Sequence, residues 1–276
     1  MQPAKGAVAF SPQSNSIRKT ILEIISNSQA SHIGSCFSIV EILSAVYRCV
    51  DIEKIRTHQE DRDRVVLSKG HSAAALYSVL YHFGLIEERE IKTYCSKGSL
   101  YSGHASHFLP YVEHSTGALG HGLSVAVGIG IGLKSKKISS KVYVIVGDGE
   151  LNEGSNWEAF MLAGHKKLNN LFVLIDNNKF GGIGKTDYCC SLEPLDKKLE
   201  SFGFETYRIN GHDEELIISI LQKRNSEERE TPIAIVCDTI KGKGVSFMEN
   251  NNVWHYRPPV GDDYEKALEE LGRSLK

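Results

Sequence analysis

The 276-residue chain has no apolar run approaching the roughly 18 residues that a membrane-spanning helix requires, so no transmembrane segment is expected. It also lacks an excess of either charge: 32 Lys and Arg face 34 Asp and Glu, a formal net charge of −2. That balance offers neither the basic surface a nucleic acid favours nor one suited to an anionic membrane. Met1–Asn15 carries one lysine and no long apolar core, so a secretory signal is not expected either. The six cysteines, at positions 36, 49, 95, 189, 190 and 237, include no CxxC spacing. They read as reduced thiols of a cytoplasmic protein, with the adjacent Cys189 and Cys190 as structural filler. Internal repeats and low-complexity tracts are missing as well. What is left, at 41% hydrophobic residues, is an ordinary globular composition, enough for one large domain over residues 1–276.

Within that composition, apolar spacing lays out alternating helices and strands. Ile17, Ile21, Leu22, Ile24 and Ile25 form a helical stripe over Ser14–Gln29. Ser38 and Glu41 make a capping box ahead of a second helix through Arg48, and the SHIGS turn between the two carries His32. Residues 51–64 read as a solvated connector, Val65–Leu67 as a strand ending at SKGH, and Ser72–Tyr81 as a helix. Residues 84–114 read as an extended polar loop, and Leu123–Leu133 as a glycine-containing helix. Val142–Val146 and Leu171–Ile175 have strand composition with a helix between them. Pro194–Ser201 reads as a helix, Phe204–Ile209 and Ile233–Val236 as strands, and Asp213 as the cap of a helix to Asn225. This order predicts an α/β fold, a mainly parallel sheet with helices on both faces.

The two central strands stop at oxygen-bearing residues, Asp148 between two glycines and then Asp176-Asn177-Asn178. Parallel neighbours would bring both clusters to one carboxyl edge, where ligands of open α/β sheets bind. Asp148 offers a carboxylate, Asn178 an amide oxygen, and the following loop a carbonyl, a hard-oxygen set that suits Mg²⁺ and equally admits Ca²⁺ or Mn²⁺. Gly147 and Gly149 would let backbone N–H groups approach a diphosphate. Each cluster alone is also an ordinary turn composition; the pairing at matched strand ends is what argues for a site. Four histidines, His32, His71, His104 and His255, sit beside turn residues, and imidazoles gathered at that edge would suit proton movement on sugar hydroxyls.

GDG followed by NN at this interval resembles the thiamine diphosphate signature, and GDGELNEGSNWEAFMLAGHKKLNNL resembles transketolase in particular. SHIGS at 31–35, DRVVLSKGHSAAALY at 63–77, SGH at 102–104, STGALGHGLSVAVG at 115–128 and KGKGVSFMENNNVWH at 241–255 follow the order of that family's N-terminal block. The resemblance implies a thiamine-diphosphate-binding fold and a metal held by Asp148, Asn178 and the Phe180 carbonyl. It implies substrate contact for His32 and His104, diphosphate contact for His71, and both for His255. Gly149 and the loop of Gly117, Ala118 and Leu119 would border the cofactor. Glu153 matches a glutamate at a subunit contact, though a plain helix-start carboxylate explains it as well. His107, His121, His165, Lys241 and Lys243 remain without a firm role, the lysines as solvated members of a KGKG turn.

In the family, the glutamate that activates the cofactor, the aromatic clasp on its pyrimidine and the sugar-phosphate grip belong to later domains. Residues 256–276 read as a polar, helix-like tail. The expectation is therefore the N-terminal subunit of a split transketolase. A second polypeptide would carry the pyrimidine-binding and C-terminal domains, in an α2β2 heterotetramer that moves a two-carbon ketol unit between sugars or sugar phosphates. The alternatives are a subunit of another thiamine diphosphate enzyme, similar to 1-deoxyxylulose-phosphate synthase or a 2-oxoacid dehydrogenase, a split transketolase specialised for an unusual sugar, or a non-catalytic scaffold relative.

Overall fold

The computed structural model describes residues 12–226 and 230–273. Five strands, β1 (Arg64–Leu67), β2 (Val142–Gly147), β3 (Leu171–Asn177), β4 (Glu205–Asn210) and β5 (Ile233–Asp238), form one sheet in the order β1-β2-β3-β5-β4. Every pairing is parallel. β2 and β3 are buried along their whole length, because alternate residues enter two different helical layers. On one face Tyr143, Ile145, Phe172 and Leu174 pack against helices Pro12–Ser28, Val40–Cys49 and Ala73–His82. On the other, Val142, Val144, Val146, Val173 and Ile175 meet helices Gly122–Ser135, Gly154–His165 and Leu195–Ser201. No helix among the described residues is long and apolar enough to cross a membrane.

Register places the polar clusters. Gly147 pairs with Asp176 across β2 and β3, and Asn177 pairs with Asp238 across β3 and β5. The GDG turn, the DNN cluster and the Thr239–Lys241 segment thus leave the sheet side by side at its carboxyl edge.

Two local expectations give way to tertiary contacts, and a third gains a local helical turn. The SHIGS turn shrinks to Ser31-His32, with His32 in the left-handed region at φ 78°, and Ile33–Ser38 forms a fully buried helix. No capping box forms at Ser38: its hydroxyl donates to the Ser35 carbonyl and to Asp176, while Glu41 is taken by Arg18. The 51–64 connector contains a helical turn, Ile52–Arg56, capped by Asp51, whose carboxylate accepts from the Glu53 and Lys54 amides. Residues 84–114 are irregular apart from the turn Glu88–Ile91, and they are anchored by buried Ile91, Tyr94, Tyr101 and Leu109. Asp213 does cap helix Glu214–Ser226, its carboxylate accepting from the Leu216 amide at 3.0 Å.

Candidate functional site

A cleft of about 220 Å³ opens at the carboxyl ends of β1, β2 and β3. His71, Leu119, Asp148, Gly149, Asn178, Phe180 and His255 line it, together with Ser35, Lys69, Glu150 and Tyr256. The four histidines expected to converge do so. The ring centroid of His32 lies 4.9 Å from His71, 4.9 Å from His255 and 6.4 Å from His104, and His71 lies 4.5 Å from His104. The strained His32 backbone is held there by its own amide, which donates to the His255 carbonyl at 2.7 Å.

His104 is set by its carbonyl, which accepts from Tyr77 Oη at 2.9 Å and Ser102 Oγ at 2.8 Å. Its ring rests on Gly117, at φ +146°, where an added Cβ would stand 2.8 Å from His104 Cδ2. Any side chain at 117 would therefore drive the imidazole away. Ala118 is exposed and does not line the cleft, and neither does exposed Glu153, which starts helix Gly154–His165 and packs against Gly120. His121 and His165 are exposed on the surface, and His107 turns to Ser115, its Nδ1 2.6 Å from the Ser115 hydroxyl.

Charge in the cleft is buried and unevenly matched. Asp176 is fully buried; burial alone would push its carboxyl up, but Lys69 pairs with it, and Thr239 and Ser38 donate to it, so it stays below the usual range. Asp148 is 1% exposed and has no ion-pair partner among the described residues. Burial first, and then the Asp176 charge, push its carboxyl up to about 7 against hydrogen bonds from the Gly149 and Lys179 amides. A buried carboxylate in that state attracts a cation. Around it the donors are oxygens. Asn178 Nδ2 donates to Asp176 at 2.9 Å, which turns Oδ1 toward Phe180, whose amide it accepts at 3.0 Å. An oxygen-only set with one carboxylate fits a hard divalent cation. Among the described residues no group of three or more His, Cys, Asp or Glu could hold a metal, so a zinc-type centre is not formed.

Gly147 and Gly149 differ from expectation in one respect. Their amides already donate to carboxylates, Gly147 to Glu150 Oε2 at 3.1 Å and Gly149 to Asp148 Oδ1 at 2.7 Å. What Gly149 supplies is room, since a Cβ there would meet Gly181 Cα at 3.0 Å. Buried Glu150 also accepts from Ser68 Oγ and the Gly120 amide, tying the SKGH turn and the GALG loop to the GDG turn.

Lys241 corrects the sequence reading most sharply. It is fully buried, and its ammonium donates to the Gly181 carbonyl, to Asn252 Oδ1 at 2.7 Å and to His255 Nδ1 at 3.0 Å. Burial and Lys69 draw its pKa down to about 8. Desolvation first, with neighbouring cationic and imidazole groups, lowers His32 to about 4 and His255 to about 3, and lowers His71 in the same direction. These three rings are therefore neutral at pH 7, each with one donor and one acceptor nitrogen. Lys69 and Lys241 both sit in the quoted SKGH and KGKG motifs; a lysine followed by a glycine just beyond a strand end is the signal the sequence offers.

The family described as "Transketolase, thiamine diphosphate binding domain" matches residues 11–274. One of the subunits of the apulose-4-phosphate transketolase of Actinobacillus succinogenes is 40% identical over 262 residues, covering 94% of this chain and 94% of that protein. The 6-deoxy-6-sulfo-D-fructose transketolase subunit SqwG of Clostridium sp. is 35% identical, with the same mutual coverage of 94%. Among solved structures, Campylobacter jejuni transketolase superposes with a TM-score of 0.85 at 30% identity over 94% of this chain. The chain spans 42% of that transketolase.

Proposed function

This chain belongs to the transketolase family, and from that premise we propose that it is the diphosphate-binding subunit of a two-chain transketolase. The assembled enzyme would move a two-carbon ketol unit from a ketose or ketose-phosphate donor to an aldose acceptor. The observation that carries the reading is a cleft lined by a buried and cation-seeking Asp148 with His71 and His255, against whose rings those of His32 and His104 are packed.

Thiamine diphosphate, when bound, would supply the electron sink for the ketol carbanion. Asp148, Asn178 and the Phe180 carbonyl would hold Mg²⁺, or Ca²⁺ or Mn²⁺ in its place. Gly149, His71, His255 and the loop of Gly117 and Leu119 would border the diphosphate; Ala118 would contribute only backbone. His32, His104 and His255 would address substrate oxygens. Neutral His32 can offer substrate oxygens one donor and one accepting nitrogen, whereas His255, whose Nδ1 accepts from Lys241, offers them its Nε2 proton as a hydrogen-bond donor. Glu153, exposed at the start of its helix, would face the partner polypeptide rather than the cofactor.

Relatives that are named as single subunits of a transketolase, and that match this chain over 94% of both lengths, support a separate partner polypeptide. That partner would carry the pyrimidine-binding and C-terminal domains, and two such pairs would make a heterotetramer working in the cytoplasm. The same relatives act, by name, on apulose-4-phosphate and on a sulfo-ketose. Their likeness supports a specialised donor over a general pentose phosphate role.

The test is reconstitution. The purified chain, the chain with its co-purified partner, and that complex with Asp148→Ala are assayed for ketol transfer and for retained thiamine diphosphate. Transfer is expected only in the complex, from apulose-4-phosphate or 6-deoxy-6-sulfo-D-fructose ahead of common ketose phosphates, and Asp148→Ala should lose the cofactor on gel filtration. Transfer by the isolated chain would overturn the two-chain reading. Turnover with pyruvate as the donor would favour a different thiamine diphosphate enzyme.

A further inference from the structure

Two polar atoms in the cleft converge on one small space, and neither has a protein hydrogen-bond partner among the described residues. The position a Cβ would take on Gly182 lies 3.2 Å from Tyr256 Oη and 3.3 Å from His255 Nε2. Gly182 has no positive φ, so its backbone does not call for glycine. The absent side chain instead leaves both polar atoms open to the cleft.

Each atom is held and oriented. An ammonium donating to His255 Nδ1 puts the ring proton on Nε2, which makes Nε2 a donor toward the space over Gly182. The Tyr256 ring packs edge-on against His255 at 4.6 Å and against His32 at 6.2 Å, and its carbonyl accepts from Ser31 Oγ at 3.0 Å. Tyr256 lines the cleft and is 62% exposed, so its hydroxyl is open to a ligand entering there. The amides of Gly147 and Gly149 are occupied by carboxylates. An oxygen-rich ligand must therefore find its donors elsewhere.

We propose that Tyr256 Oη and His255 Nε2 form a two-donor clamp over Gly182 that grips a ligand oxygen, either on the cofactor's diphosphate or on a sugar hydroxyl of the donor. The inference rests on the transketolase reading above. It adds Tyr256 to the binding residues and gives Gly182 a purpose.

The experiment uses the assembled enzyme and measures calorimetric Kd for thiamine diphosphate and for inorganic diphosphate with Mg²⁺, alongside donor KM. Tyr256→Phe keeps the ring and removes one donor. Gly182→Ala keeps the hydroxyl and fills the space. If the clamp holds diphosphate, both variants weaken both Kd values by roughly ten-fold, as expected for one hydrogen bond to a charged group. If it holds the sugar, Kd is unchanged and donor KM rises by a similar factor in both. The clamp is overturned if Tyr256→Phe leaves Kd and KM within two-fold while Tyr256→Ala impairs them, because the ring alone would then matter. Wild-type enzyme that binds neither thiamine diphosphate nor inorganic diphosphate would overturn the functional reading itself, and the clamp with it.

Discussion

Lys69→Met is the most informative perturbation of the buried charges beneath the cleft. Lys69 is 7% exposed and pairs with Asp176, which is fully buried. Methionine has a similar length and apolar stem, so the substitution removes the charge with little change in packing. Asp176 would keep hydrogen bonds from Ser38, Asn178 and Thr239 but lose its counter-ion. Leaving one member of a buried pair uncompensated costs about 3–5 kcal/mol. At about 2–4 °C per kcal/mol for a domain of this size, the melting temperature should fall by about 6–20 °C. The assay is thermal unfolding of the chain at pH 7 without added cofactor or metal, followed by circular dichroism. Asp176→Asn in the Lys69→Met background removes the orphaned charge and should restore a large part of the loss, giving a coupling energy of about 2 kcal/mol or more in the double-mutant cycle. A Lys69→Met melting point within about 2 °C of wild type would refute the reasoning. So would additive effects of the two substitutions, since the pair would then contribute nothing as a pair.

Much of this architecture was readable from spacing because continuous apolar runs bounded by polar residues leave few choices. Val142–Val146 and Leu171–Ile175 could bury both faces only in a parallel sheet, and that sheet sends Asp148 and Asn178 to one edge. The four histidines followed, since each stands on a turn leading to or from that edge. Features decided by distant chain segments were not readable. Ser38 and Glu41 have the local form of a capping box, yet Asp176 and Arg18, far away in sequence, offer each a charged partner and prevail over the local pattern. Lys241 looks like a solvated turn residue until the 250–256 segment closes over it and supplies Asn252 and His255. The glycine amides at 147 and 149 looked free for a diphosphate because nothing local reveals that Glu150 and Asp148 fold back onto them.

Two further substitutions test how distant segments shape the site. Gly117→Ala places a Cβ 2.8 Å from His104 Cδ2 at a φ of +146°. It should cost about 1–3 kcal/mol in stability, raise donor KM and, because the same loop would border the diphosphate, weaken thiamine diphosphate binding as well, as read by thermal unfolding, steady-state kinetics and calorimetry. Glu41→Gln probes the buried network in which Arg18 Nη1 and Nη2 contact Glu41 at 2.5 and 2.8 Å and His212 Nδ1 lies 2.9 Å away. Burial would raise the Glu41 pKa, but the Arg18 charge together with His212 holds it down to about 2, against 4.5 for the free side chain. A depressed carboxyl pKa stabilises the fold above the unfolded value, and that contribution, about 3 kcal/mol, is lost as pH falls from about 4.5 through about 2. Wild type should therefore lose stability steeply across that window, whereas Glu41→Gln should start lower at pH 7 and show a shallower slope. Parallel acid-unfolding profiles for the two proteins would mean that Glu41 is not the group whose protonation loosens the packing of helices Pro12–Ser28 and Val40–Cys49 against the sheet.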